Sequence, residues 1–237
     1  MISVLAAFAV VSQTPVHPAT DPIDGQSWQV RVSRTVPISF LLTLPEDYGK
    51  DHKKHWPMLL FLHGSGERGN DLNKIRRHGP PKEIAAGRKY PFIVVSPQCP
   101  DGQMWDPAVL TQLLDMVERR YRVDKTHEYV TGLSLGGYGT YELAAMNPKR
   151  FAAIAPISGG GSWLTADLIE KTPAFIVHGD SDPTVPCDED RKLAQYLKDN
   201  GDEVRYTEVK GGGHDVWSDV YAGDELYTWL LQHSLKN

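Results

Sequence analysis

The stretch Met58–Leu62 reads MLLFL, five apolar residues in a row, bounded by Pro57 and Gly64. A run this uniform has no wet face. It predicts a strand buried on both sides, the kind found in parallel sheets covered by helices. A second such run, FIVVS, lies at Phe92–Ser96, and further strands are expected at Glu128–Thr131, Phe151–Ile157, Ala174–His178 and Val204–Val209. Helical patterns fall between them. Ala108–Tyr121 repeats through Leu110, Leu113, Leu114 and Val117, and Leu135–Met146 stops at Asn147-Pro148. Cys187–Leu197 ends towards Asn200-Gly201, and Asp224–Leu235 forms a final helix. Strands alternating with helices imply an α/β chain with a parallel sheet covered on both faces.

Upstream, Trp28–Val36 alternates apolar and polar residues and Ile38–Leu44 follows Pro37, which predicts an antiparallel hairpin. Tyr48–His55 is charged and reads as a loop, with His52 and His55 as solvated surface rather than a metal site. The chain has 237 residues, enough for one large domain, here residues 28–237. Residues 1–27 read as a leader or linker. Met1–Val11 (MISVLAAFAVV) has the length of a signal h-region, with Ala19 near a plausible cleavage point, although the n-region lacks Lys and Arg. The expectation is a secreted or periplasmic protein. The alternatives are a cytoplasmic protein whose apolar terminus packs on the domain, or an artefactual start. No apolar run approaches the roughly 20 residues of a spanning helix, so no membrane span is expected. The formal net charge of −5 and the lack of a basic stripe argue against nucleic acid as a partner. Cys99 and Cys187 fit neither a zinc site nor a disulfide framework and read as separate thiols; one disulfide is the alternative that goes with export.

In parallel sheets, ligands gather beyond the carboxyl ends of the strands. Each loop there carries chemistry. After strand 128–131 comes Gly132-Leu133-Ser134-Leu135-Gly136, a G-x-S-x-G pattern between strand and helix. Such a turn lifts a serine hydroxyl above the sheet, and its glycines let the helix pass close to the strand. After strand 58–62 comes His63-Gly64-Ser65-Gly66-Glu67-Arg68-Gly69. An oxyanion needs two N–H donors. Leu135, just after the serine, would supply one, and Ser65 or its neighbour Gly66 the other. His63 reads as a turn residue, and Glu67 and Arg68 as a mutual pair or as fasteners of this loop, with binding of substrate charge as the weaker alternative. After strand 174–178, Asp180 and Asp182 compete to orient a base. Asp180 sits at the strand exit and suits loop organisation, so Asp182 is preferred. After strand 204–209, Gly211-Gly212-Gly213-His214 presents a histidine on a glycine loop. Ser134 as nucleophile, Asp182 as orienting acid and His214 as base make a complete acyl-transfer set. Trp105, Trp163 and Trp217 lie beside these loops and are candidates for the wall of a substrate pocket; the alternative is that each caps the core under its loop.

The stretches HGSGERGND at 63–71, SPQCPDGQMW at 96–105, GLSLGG at 132–137, HGDSDPTVP at 178–186 and GGGHDVW at 211–217 resemble α/β-hydrolase esterases of the phospholipase/carboxylesterase and dienelactone-hydrolase type. Within that group the chain looks most like bacterial proteins labelled predicted peptidases, which are similar to feruloyl-esterase-like enzymes. The resemblance runs from about Trp28 to the C-terminus. It implies a mostly parallel eight-stranded sheet with antiparallel first strands, the triad Ser134, Asp182 and His214, and Ser65 and Leu135 facing the oxyanion. It implies no metal and no cofactor. No long insertion suggests a lid, which departs from lipases. The expected activity is serine carboxylesterase, acting on short-acyl or aromatic esters that are small molecules or linked to polysaccharide. Its rivals are a peptidase or thioesterase with the same triad, and a binding domain that kept the fold.

Overall fold

The structure, a computed structural model, describes residues 33–169 and 171–236, without the side chain of Trp163. The chain divides into two compact units, Met1–Thr35 and Val36–Asn237. The expected leader lies outside the described residues. The sheet and its helices belong to the second unit.

Seven strands form one sheet: β1 (Phe40–Thr43), β2 (Trp56–Leu62), β3 (Ile93–Pro97), β4 (Val123–Leu133), β5 (Ala153–Ile157), β6 (Ala174–Gly179) and β7 (Val204–Val209). Their spatial order is β1-β3-β2-β4-β5-β6-β7. Only β1 runs antiparallel to its neighbour, pairing Phe40 with Pro97 and Thr43 with Val94. The hairpin partner expected at Trp28–Val36 lies outside the described residues up to residue 32, and residues 33–36 form no strand. The sheet therefore has seven strands among the described residues where eight were expected.

The helices are α1 (Gly79–Ala85), α2 (Pro107–Arg120), α3 (Leu135–Met146), α4 (Trp163–Asp167), α5 (Asp188–Asp199), α6 (Trp217–Ala222) and α7 (Glu225–Leu230). None is long and apolar enough to cross a membrane, among the described residues. The run MLLFL is apolar throughout because both faces of β2 are covered. Met58, Leu60 and Leu62 join the core under α2, α3 and α5, with Leu110, Leu113, Leu143 and Leu193. Leu59 and Phe61 join the core on the other face with Tyr221, Leu226 and Leu230 of α6 and α7. Each fully buried side chain of this size contributes about 1.5–3 kcal/mol.

Local signals fix the ends. Asp106 caps α2, its Oδ1 accepting from the amides of Ala108 (2.9 Å) and Val109 (3.2 Å), with Pro107 at the first turn. Past α5, Gly201 takes a left-handed φ of 77° and its amide bonds Lys198 O at 2.9 Å. Cys99 and Cys187 are both free. His52 and His55 are exposed.

Candidate active site

Ser134 is the single residue between β4 and α3, and it stands at φ 52°, ψ −117°. This is a strained conformation for a residue with a side chain, on the order of 1–3 kcal/mol. Close packing imposes it. A Cβ on Gly136 would lie 2.0 Å from the Leu62 carbonyl oxygen, so the first turn of α3 rests backbone to backbone on the end of β2. The Ser134 amide donates to Ile157 O at the end of β5 (2.9 Å). The turn is thus pinned from two strands, and the hydroxyl stands clear of the sheet.

The Ser134 hydroxyl lies 2.9 Å from His214 Nε2, and His214 Nδ1 lies 2.6 Å from Asp182 Oδ2. The carboxylate accepts, so Nδ1 carries the proton and Nε2 presents a lone pair to the hydroxyl. Asp182 is closed off from solvent, whereas the His214 side chain is 20% exposed. Asp182 Oδ1 accepts from the amides of Thr184 (2.8 Å) and Val185 (3.0 Å). Burial pushes its carboxyl upward, but the bond from His214 and those two amides outweigh it and hold the group below the ordinary carboxylate range. Asp180 does something else: its Oδ1 accepts from Gly211 N (2.7 Å) and Ser181 Oγ (2.8 Å), which fastens the glycine loop bearing His214.

The loop after β2 approaches from the other side. Gly64 lies so near the serine turn that a Cβ there would be 2.8 Å from Leu133 Cδ1 and 3.6 Å from Ser134 Cβ. Ser65–Glu67 forms a short 3-10 turn, closed by Glu67 N to Gly64 O (3.4 Å) and Arg68 N to Ser65 O (3.5 Å). The amides of Ser65 and Leu135 take no part in the turn bonds that hold these loops. Leu135 opens α3, at the positive end of the helix dipole, and Ser65 opens the 3-10 turn. Arg68 and Glu67 do not pair with each other. Arg68 donates to Ser65 O and Gln103 O, both at 3.1 Å, while Glu67 is buried and faces His78. Burial raises the Glu67 carboxyl, against the pull of His78 and Arg77.

His63 is buried behind this loop. Its Nε2 accepts from the Cys99 amide (3.0 Å) and its Nδ1 meets Gly64 O (2.6 Å). Burial drives its pKa down to about 4, so the ring is neutral and serves the loop.

Two of the three tryptophans are buried, as the core-capping alternative has it. Trp105 is 5% exposed, in the core beneath α3, its Nε1 donating to His63 O at 3.2 Å. It supports the loop from behind. Trp217 is 7% exposed and stacks edge-on against His214 at 4.8 Å between centroids. Its Nε1 donates to His78 at 3.4 Å. The Trp105 ring takes the space that Gly139 of α3 leaves, where a Cβ would lie 2.8 Å from it, a role the sequence alone does not distinguish from lining a pocket. The Trp163 side chain lies outside the described residues.

The structure adds a group that the sequence pattern does not single out. His178, at the end of β6, reaches Asp182 Oδ2 through Nε2 (3.2 Å) and Asp190 Oδ2 through Nδ1 (2.7 Å), and Tyr141 donates to Asp190 Oδ1 (2.9 Å). The one sequence signal for it is a histidine four residues before the favoured acid.

Comparison with known proteins adds to this geometry. The family model described as "Putative esterase" matches residues 33–229. The chain is 29% identical over 180 residues to a bifunctional acetylxylan esterase/xylanase of Neocallimastix patriciarum, covering 73% of this chain and 26% of that protein. It is 27% identical over 213 residues to feruloyl esterase C of Emericella nidulans, covering 85% and 76% respectively. Among solved structures it is similar to a thermostable esterase at 30% identity and a TM-score of 0.74, covering 84% of this chain and 60% of that one. The chain therefore spans about a quarter of the first relative and three fifths of the solved esterase.

Proposed function

The chain belongs to this esterase family and has its α/β-hydrolase fold, and from that premise we propose that it is a serine carboxylesterase acting through an acyl-Ser134 intermediate. The single observation that carries this is the continuous link from Ser134 Oγ through His214 to Asp182, at 2.9 and 2.6 Å. In this reading His214 Nε2 takes the hydroxyl proton as Ser134 attacks the ester carbonyl. The oxygen of the tetrahedral intermediate turns to the amides of Leu135 and Ser65. His214 then hands its proton to the leaving alcohol, and water repeats the sequence on the acyl-enzyme. Asp182 holds the tautomer and stabilises the imidazolium. Removing one oxyanion donor in such a site costs about 3–4 kcal/mol of transition-state stabilisation.

The substrates in this proposal are short-acyl or aromatic carboxylic esters. The names of the two curated relatives point to acetyl and feruloyl groups, and the first to acetyl groups on xylan. The test is hydrolysis of p-nitrophenyl esters from acetate to decanoate, and of methyl ferulate and acetylated xylan, by wild type and Ser134→Ala. Turnover of short or aromatic esters that vanishes in the variant is expected. Undiminished turnover in Ser134→Ala would remove the serine from the mechanism. Matched thioester and amide substrates, turned over faster than the ester, would move the enzyme to another class.

A further inference from the structure

We propose that His178 is a positioning residue of this site, a buried imidazolium clamped between Asp190 and Asp182 that fixes Asp182 against His214. The proposal rests on the reading of Ser134, His214 and Asp182 as the reacting set.

The protons can be placed from the partners. His178 Nε2 faces the Val185 carbonyl at 3.0 Å and Asp182 Oδ2 at 3.2 Å. Both are acceptors, so Nε2 carries hydrogen. Nδ1 faces Asp190 Oδ2 at 2.7 Å, and the other oxygen of Asp190 already receives the Tyr141 hydroxyl at 2.9 Å. The side chains of His178, Asp182 and Asp190 have no exposed surface. With both carboxylates ionised, the ring satisfies them together by donating from both nitrogens. The groups facing this cluster are Tyr138 and Tyr141 from α3, Tyr206 and Glu208 from β7, and His214 across Asp182. The guanidinium of Arg191 is exposed and engaged by Glu208 at 2.7 Å. The positive charge between the two aspartates is then that of His178. Burial opposes that charge, but the bond to Asp190 and the charges of both aspartates prevail and raise the ring above its ordinary value.

Two consequences follow for catalysis. Asp182 Oδ2 is held by a histidine on each side and Oδ1 by two amides, so the carboxylate cannot turn away from His214. A cation behind Asp182 also offsets part of the negative charge that Asp182 presents to His214.

The test is the double variant His178→Gln/Asp190→Asn, which removes both charges and keeps amide donors in place. Its kcat on a short p-nitrophenyl ester is expected to fall about tenfold with KM nearly unchanged. The acid limb of its kcat/KM profile should move about one pH unit higher. A residue that merely supports the fold would lower the melting temperature and leave that limb where it was, which would overturn the proposal. Nitrogen-15 spectra of the wild-type histidines give a readout independent of turnover. Both His178 nitrogens should be protonated at pH 7, and a neutral ring there would also overturn it. Ser134→Ala separates the two readings. If that variant keeps its activity, the serine mechanism fails. If it is inert while the double variant keeps an unshifted profile, only the role of His178 fails.

Discussion

Two fully buried histidines stand behind opposite walls of the site, His63 just beyond β2 and His178 at the end of β6. They are the same side chain near the carboxyl ends of two parallel strands, and both have lost their water. His63 Nε2 meets a backbone N–H, which requires a lone pair, and burial then holds the ring neutral. His178 meets a carbonyl and two carboxylates, which require hydrogens on both nitrogens. Desolvation disfavours charge at both places, so it does not set them apart. The polarity of the partners does. The neutral ring organises the loop that carries Ser65, and the other ring organises the loop that carries Asp182.

The largest test of this contrast falls on the acid side. Asp182→Asn keeps the shape but removes the charge that fixes the tautomer of His214, and kcat is expected to fall on the order of ten-thousandfold, measured on a short p-nitrophenyl ester. On the neutral side, Gly64→Ala puts a methyl group 2.8 Å from Leu133 Cδ1 and displaces the loop beside Ser134. A loss of kcat of roughly a hundred- to a thousandfold is expected there, with KM changed little. If Gly64→Ala proves silent, that loop does not meet the oxyanion.

A smaller effect separates the histidines by their response to pH. The folded value of His63 is about 4, against 6.5 for the free side chain. Between those values the unfolded chain binds a proton that the folded one refuses. Its contribution is whole above pH 6.5 and declines as the pH falls towards 4, by about 2 kcal/mol at pH 5. For His178 the folded value is raised, so its contribution is whole below the unfolded value and is lost as pH rises through the folded one. Urea unfolding at pH 5, 7 and 9 should show His63→Gln flattening the acid side of the stability profile and His178→Gln the alkaline side. The reverse assignment would break the comparison. The smallest effect is expected at the surface: Asp180→Ala frees the Gly211 amide from its acceptor and should lower stability by about 1 kcal/mol in the same assay, with a modest loss of kcat.

Much of this architecture is legible in the sequence, in ways that follow burial. Helix α3 and strand β7 have the bounds their patterns predict, Leu135–Met146 and Val204–Val209. Strand β4 is longer than its apolar core, because Asp124, Lys125, Thr126 and His127 are extended but polar. The pattern predicts a final helix through Leu235, but α7 ends at Leu230, and the chain turns so that the Leu235 amide bonds Thr126 O at 2.9 Å. Helix α6 is hidden because Trp217 follows the glycines, and its six residues are too few for a helical period to declare itself. At the site, Ser134, Asp182 and His214 each follow a strand and carry glycine or turn residues with them, so the chain order exposes them. His178 does not stand out. It lies inside a strand and acquires meaning only from Asp190, which α5 brings back over the sheet.

The bond between His214 and Ser134 joins residues 80 positions apart, from the end of β7 to the end of β4, with β5 and β6 between them. No fragment that stops short of the sheet's last strand can make it. Contacts that span so much chain form late, because closing the loop costs entropy before packing returns it. In the proposed mechanism the Ser134 hydroxyl is therefore silent in a nascent or half-folded chain and meets its base only when the far edge of the sheet is in place.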